Sequence, residues 1–473
     1  MVLFIYPCKD NPLSSPPLGL LHLSSILKKS NISSEIYCTS SGFANIDLVD
    51  DIEDHIKDDT VCCGFSVMTG PQISEALTLS KQIREKHPGI TIIWGGIHPT
   101  LTPEQTIENE YIDIVCVGEF ERTITKLVLS IQHKEDLSKI PGIYYKVKGK
   151  VQKTEADPEN FDLDELPLLS YEDLSLDKFQ NPTTNPFYKF SSDKVATIEI
   201  TRGCPLSCYY CVQNNFRTKF RCMSIDNMIR HLRNIWDIGF RALVIADDNF
   251  FVNTNAMNYI RAIIASNLKF EVYVSIPVTI LYNMLPIHIE LLQKCGIKTI
   301  GISAETGSDR MLKIIGKKHK TDMVLTINRR LRDFDIIVNY NFIAGFPEET
   351  LQDIKCTYIT MINLLLENGM AQVNIKKLIP TPNTDVYTEC VKRGMPKPSS
   401  LNDWVSYVDL KWERHHEYVD PKVEKWYKDL EKFHEELFWF CYIHNTVVES
   451  DPKVRDIQEK RIKYLVETIK NKI

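Results

Sequence analysis

No stretch of this sequence stays apolar for long enough to cross a membrane. The longest uninterrupted apolar run, residues 437–443, falls far short of the roughly 20 residues a spanning helix needs. Basic charge is not in excess either. With 56 Lys and Arg against 62 Asp and Glu, the net charge is −6, so nothing draws the chain generally toward nucleic acid or anionic lipid, and small-molecule or peptide substrates are favoured. The opening residues lack a basic lead-in and meet Lys9 and Asp10 too soon for a secretory signal. They are expected to form a first strand, in a cytoplasmic protein. There is no internal repeat and no low-complexity tract. The thirteen cysteines are an odd number, and apart from one group they sit singly in apolar surroundings, as reduced core cysteines do.

What is present is ordinary globular composition, 43% hydrophobic and 25% charged, over 473 residues. That length exceeds a single hydrophobic core and predicts two or three domains. The first part alternates β-branched runs at 2–6, 34–37, 60–65, 90–94 and 113–117 with helical patterns at 19–29, 71–86 and 120–131, the signature of a doubly wound parallel sheet. Ligands of such sheets lie beyond the carboxyl ends of the strands. Small and polar residues fall there: Pro16-Pro17-Leu18-Gly19, Ser66 to Gly70, Gly95-Gly96-Ile97-His98-Pro99-Thr100 and Gly118-Glu119-Phe120-Glu121.

A hairpin at 142–151 and a stretch rich in Pro, Asn and Ser suggest a linker over 141–190 between a front domain, 1–140, and the rest of the chain. A second alternation, with strands at 195–201, 242–246, 271–276, 299–303, 336–343 and 372–379, predicts a partial (β/α)6 barrel over 191–394. Beyond it, 395–473 reads as a small helical region, with helices at 421–442 and 453–470 and tryptophans at 404, 412, 426 and 439. Core packing is the expectation for Trp426 and Trp439.

Directly after the first barrel strand comes Thr-Arg-Gly-Cys-Pro-Leu-Ser-Cys-Tyr-Tyr-Cys. The short intervals let Cys204, Cys208 and Cys211 curl around one metal cluster, and three thiolates on four irons leave one iron open for chemistry. Gly203 and Pro205 suit a tight loop, and Tyr210 would cover the cluster. Zinc is the rival occupant, but structural zinc wants four ligands and commonly paired CxxC knuckles, and the nearest extra thiol is Cys222.

This loop resembles the signature of the radical S-adenosylmethionine (SAM) superfamily, and the resemblance runs from Val195 to about Ile379. It implies a [4Fe–4S] cluster whose open iron chelates SAM, which reduction cleaves to a 5′-deoxyadenosyl radical, with an external one-electron reductant such as flavodoxin or ferredoxin. Asp247-Asp248-Asn249 takes the place of the family's Gly-Gly-Glu motif, leaving the ligand of the SAM amino group open among those three. Ser303, Glu305 and Arg310 are similar to positions that contact the SAM ribose and carboxylate, while Ser308 with Asp309 reads equally well as a helix cap. Asn341 to Pro347 resembles the Gly-x-Ile-x-Gly-x-Pro element beside adenine, with Asn341 in place of its first glycine, and implies contacts from Phe342 and Ile343.

The front domain resembles the cobalamin-binding module that precedes many radical SAM barrels, the arrangement of the class B methyltransferases. The resemblance implies cobalamin contacts at Pro17, Gly19, Ser66, Thr69, Gly95, Gly96, His98, Thr100, Gly118 and Glu119, where small residues let a corrin and its nucleotide tail approach the backbone. The Asp-x-His-x-x-Gly motif is missing, which implies cobalt without a protein histidine. A cobalamin-dependent methyltransferase acting on an unactivated carbon or phosphorus is the leading expectation. Alternatives are a cyclase or rearrangement enzyme of the same two domains, a methylthiotransferase-like enzyme, and a non-catalytic sensor.

Overall fold

The computed structural model describes residues 1–8, 16–39, 52–156, 161–171, 190–192, 194–217, 219–408, 416–430 and the isolated positions 460, 463, 464 and 467. The expected helix at 453–470, apart from those positions, and the later part of 421–442 lie outside the described residues, as do Trp412 and Trp439. Helix Pro421–Asp429 is present, and Trp426 packs half-buried against the main core.

The front sheet contains β1 (Val2–Tyr6), β2 (Ser34–Cys38), β3 (Cys62–Ser66), β4 (Thr91–Gly95), β5 (Ile114–Cys116), β6 (Ile143–Val147) and β7 (Lys150–Lys153), ordered β2-β1-β3-β4-β5-β6-β7. The first five strands are parallel, in the flavodoxin-like order whose switch point lies between β1 and β3. Both faces are covered. Val2 and Phe4 enter one hydrophobic core while Leu3 and Ile5 enter another, which is why β1 reads as a continuous apolar run rather than an alternating one. The hairpin expected in the linker pairs antiparallel onto β5 and extends this sheet.

Six parallel strands form the second unit in sequence order: β8 (Val195–Ile198), β11 (Ala242–Ile245), β12 (Glu271–Ser275), β13 (Ile297–Glu305), β14 (Ile337–Ala344) and β15 (Ala371–Lys377). The expected first strand does not run unbroken to 201. It stops at Ile198, and a two-residue β9 (Thr201–Arg202) pairs antiparallel with β10 (Arg221–Cys222). The cause lies in Asp247, whose carboxylate accepts the Ile200 and Thr201 amides at 2.7 and 2.8 Å. The β9–β10 ribbon brackets the cysteine loop.

The connecting stretch is less loose than its composition suggested. Leu163, Leu166, Leu169 and Tyr171 are buried in the main core. Ser170 N–H donates to Ser25 Oγ at 2.8 Å on the front helix Leu18–Lys29, and Asn234 Nδ2 donates to Leu169 O at 3.0 Å from helix Ile225–Asp237. These residues strap the two units together.

Candidate active site

The cysteine loop is held at its entry by Gly203. Its φ is +83°, and a Cβ there would lie 2.4 Å from Lys219 O, so only glycine fits this approach. Its amide donates to Asp248 Oδ2 at 2.8 Å. Cys204, Cys208 and Cys211 are half-buried and line one cavity of about 450 Å³ at the barrel's strand ends, a size within the range of small-molecule sites. Burial raises the thiols of Cys208 and Cys211 above their ordinary pKa, while Lys317 pulls both down. Cys222 does not line the cavity. Three half-exposed thiols on a single loop, with no fourth in the cavity lining among the described residues, fit a cluster that leaves one metal open.

The three residues after β11 part company. Asp247 faces away from the cavity: its oxygens accept Ile200 N–H, Thr201 N–H and Thr201 Oγ–H, the last at 2.7 Å. Desolvation nonetheless pushes its carboxyl up to about 8. Asp248 and Asn249 both line the cavity. Asn249 Nδ2 lies 3.7 Å from Cys204 Sγ, and its Oδ1 is buried without a hydrogen-bond partner. A buried carbonyl oxygen without a donor costs free energy until one arrives. Of the three, Asn249 is the side chain prepared to accept from a ligand's ammonium.

Ser303, Glu305, Phe342 and Ile343 line the same cavity, together with Asn341. Glu305 sits at a register shift between β13 and β14 with φ +64°, a strained conformation for a non-glycine residue. That turn buries its carboxylate, which accepts Tyr210 O–H at 2.6 Å and pairs with Lys317 Nζ at 3.0 Å. Burial, then the charge of Glu305, keeps Tyr210 protonated far above the usual phenol range. Burial disfavours the Lys317 ammonium, but Glu305 and the thiols outweigh it and raise its pKa. Arg310 does not line the cavity. Its guanidinium is clamped on Asp353 and on Glu348 O, while Ser308 caps helix Asp309–Ile314 through Met311 N–H. Lys317 and Lys376, which do line the cavity, escaped the sequence reading. The basic run after Gly316 was the available signal for the first.

A second cavity of about 270 Å³ opens at the front sheet's switch point, between β1, β3, β4 and the helix Leu18–Lys29. Phe4, Leu20, Leu23, Ile93 and Ile124 make an apolar slot, and Gly19, Ser66, Gly95, Gly96, Gly118 and Glu119 line it as well. Gly96 has φ +98°, and a Cβ would lie 2.9 Å from the Val67 backbone. The other expected contacts do not line this cavity. Pro17 is buried at the start of its helix. Thr69 Oγ lies 3.1 Å from His98 Nδ1, and His98 is fully enclosed, 5.4 Å edge-on to Trp404. Thr100 Oγ accepts Gly118 N–H at 3.0 Å and lines a smaller neighbouring pocket. No histidine lines the front cavity among the described residues.

Phe216 and Arg217, which follow the cysteine loop, also line the front cavity. Arg217 is part of a buried ionic network. Glu119 meets Arg202, Arg217 and Arg221 at 3.1, 3.3 and 2.7 Å. Arg202, 1% exposed, also pairs with Glu121 at 2.6 Å and Glu199 at 2.9 Å. This network too was missed, although an acidic pair at a strand end and arginines flanking a cysteine loop were visible separately.

Comparison with known proteins gives two matches along the chain: the B12 binding domain over residues 12–128 and the radical SAM superfamily over residues 198–358. An uncharacterized methyltransferase of Pyrococcus horikoshii is 28% identical, over 73% of this chain and 72% of that protein. The anaerobic magnesium-protoporphyrin IX monomethyl ester cyclase of Rubrivivax gelatinosus is 24% identical, over 82% of this chain and 69% of its own. The structure of the radical SAM methyltransferase TsrM from Kitasatospora setae, with cobalamin and a [4Fe–4S] cluster bound, aligns over 99% of both chains with a TM-score of 0.71 and 14% identity, a likeness of fold.

Proposed function

Since this chain is a radical SAM protein with a B12-binding domain ahead of its barrel, we propose that it transfers a methyl group to an unactivated carbon, or phosphorus, of a small-molecule or peptide substrate. The observation that carries this reading is that Arg217, just past the cysteine loop, lines the front cavity and pairs at 3.5 Å with Asp248, which lines the barrel cavity, so one ion pair joins the two sites. The bound groups would supply reductive cleavage of SAM, at the cluster, and carriage of a methyl group, on cobalamin.

The chain's own residues bind and orient. Cys204, Cys208 and Cys211 would hold the cluster; Asn249 Oδ1 would accept from the SAM ammonium; Lys317, fixed by Glu305, offers a cation beside the cysteines; and Ser303, Phe342 and Ile343 line the rest of the cavity. The apolar slot of the front cavity suits a flat aromatic group such as a nucleotide base, with Ser66, Gly96, Gly118 and Glu119 at its polar side. Because the sequence lacks the Asp-x-His-x-x-Gly motif, we propose cobalt without a protein imidazole. The cobalt(II) form should therefore show no protein nitrogen superhyperfine splitting in its electron paramagnetic resonance (EPR) spectrum. We take 1–140, extended by the hairpin at 143–153, as the cobalamin domain, the rest of 141–190 as the connecting stretch, 191–394 as the barrel and 395–473 as the C-terminal region of a cytoplasmic enzyme served by flavodoxin or ferredoxin.

Anaerobically purified protein should carry about four irons and one cobalt per chain. With SAM and a reductant it should release S-adenosylhomocysteine and 5′-deoxyadenosine. Iron without cobalt removes the cobalamin half. Release of 5′-deoxyadenosine alone favours the second reading, ring formation without methyl transfer, which the cyclase relative suggests. Neither product, with both groups bound, favours a sensor. The methylthiotransferase-like alternative would instead require a second cluster in the front domain, and a content of about eight irons per chain would favour it.

A further inference from the structure

Arg217 lines the front cavity but reaches a residue of the barrel cavity. Its guanidinium lies 2.6 Å from Glu199 Oε1, 3.3 Å from Glu119 Oε1 and 3.5 Å from Asp248 Oδ2. Glu119 follows β5 and lines the front cavity, whereas Asp248 follows β11 and lines the barrel cavity. The Asp248 oxygen facing Arg217 is the one that accepts the Gly203 amide, immediately before Cys204. One cation is therefore shared among three carboxylates, most loosely at Asp248. The side chains of Arg217, Glu119 and Asp248 are 14%, 13% and 6% exposed. Water screens such a group poorly, so a change at one pair is felt by the others. Four carboxylates, those of Glu119, Glu121, Glu199 and Asp248, face three guanidinium groups, those of Arg202, Arg217 and Arg221. Glu119 and Glu199 each also meet Arg202, whereas Asp248 meets Arg217.

We propose that Arg217 is a positioning residue that couples the two cavities. A ligand that engages Glu119 or Arg217 from the front cavity shifts the guanidinium's share between Glu119 and Asp248. Through Asp248 and Gly203 that shift sets the geometry of the cysteine loop, and with it the affinity of the barrel cavity. By linkage the effect is reciprocal: SAM must tighten or loosen cobalamin by the same factor. The inference rests on the proposed function, in which these are the two ligands. Arg202 differs. It is fully enclosed and lines neither cavity, so it serves the join between the units rather than the signal.

The test uses the full chain, reconstituted anaerobically with its cluster. The SAM dissociation constant is measured with and without hydroxocobalamin, by equilibrium dialysis and by the SAM-induced change in the EPR spectrum of the reduced cluster. In the wild type the two constants should differ by about fivefold or more. In Arg217→Gln the ratio should collapse to within about twofold of unity, and Arg217→Lys, which keeps the charge, should fall between. If Arg217→Gln does not fold, Arg217→Lys carries the test, and its ratio must still be reduced. A wild-type ratio of one, or ratios unchanged in the folded variants, overturns the coupling while leaving the proposed function standing. Failure of the wild type to bind either ligand overturns both.

Discussion

At the residue scale, hydrogen-bond accounting separates neighbours that sequence could not. Asp247, Asp248 and Asn249 are adjacent and all polar, yet only Asn249 keeps a buried oxygen without a donor. Asn249→Ala should raise the SAM dissociation constant by about tenfold or more, the worth of one hydrogen bond to a charged group, with iron content unchanged. Arg310 is the converse. Its partner Asp353 also accepts from Ser308 and Thr350. Although burial opposes it, these bonds and the guanidinium hold the Asp353 carboxyl down at about 2, against an ordinary 3.8. A depressed carboxyl contributes stability that is present above pH 3.8 and lost as pH falls toward 2. Because Arg310 is half-exposed, the ion pair itself contributes only on the order of 1 kcal/mol. Arg310→Ala should therefore lower the unfolding midpoint slightly and flatten its acid limb, and leave SAM affinity within about twofold. A large loss of SAM affinity would return Arg310 to the ligand.

At the scale of elements, the strands were legible wherever burial on both faces made a dense apolar run, and the cysteine loop was legible because its spacing is local. The hairpin was legible as a hairpin, and the structure turns it at Lys148 and Gly149 with φ +50° and +77°. Its place in the front sheet was not, because the pairing with β5 is between distant segments. The same reason hid the ionic network, in which Arg202 meets Glu121 across 81 residues and Arg221 meets Glu119 across 102. What local pattern did carry is the two strained turns. Gly203→Ala should push the loop off Lys219 O and lower the iron bound on reconstitution, with cobalamin uptake retained. Gly96→Ala should do the reverse, since its Cβ would strike the Val67 backbone beside the front cavity. Equal loss of both groups in both variants would mean that each substitution acts by general unfolding.

For the molecule as a whole, the segment after the barrel completes the front domain. Leu401 and Trp404 enter the core that contains Leu3, Ile5, Ile73 and Ile83, on the face of the front sheet turned from the main core. Trp404 is 2% exposed, donates to Gln105 Oε1 at 2.5 Å and packs 4.7 Å from Tyr407. Gln105 in turn donates to Pro398 O at 3.3 Å, and Asn383 Nδ2 donates to Leu101 O at 2.9 Å. The front sheet thus borrows part of one wall from the far side of the sequence, so its stability should depend on the barrel that delivers that wall. Truncating a buried tryptophan typically costs about 3–5 kcal/mol, and here the loss falls on the front unit. Trp404→Ala should split a single calorimetric transition into two, the front domain melting first and losing cobalamin as it does. The same change should let water reach His98, whose imidazole burial now holds at about 4 instead of 6.5. A depressed histidine favours the fold above pH 6.5 and withdraws that support as pH falls toward 4. The variant should accordingly lose less stability on acidification through that window than the wild type. One unsplit transition at the wild-type midpoint would show that the two units do not share this wall.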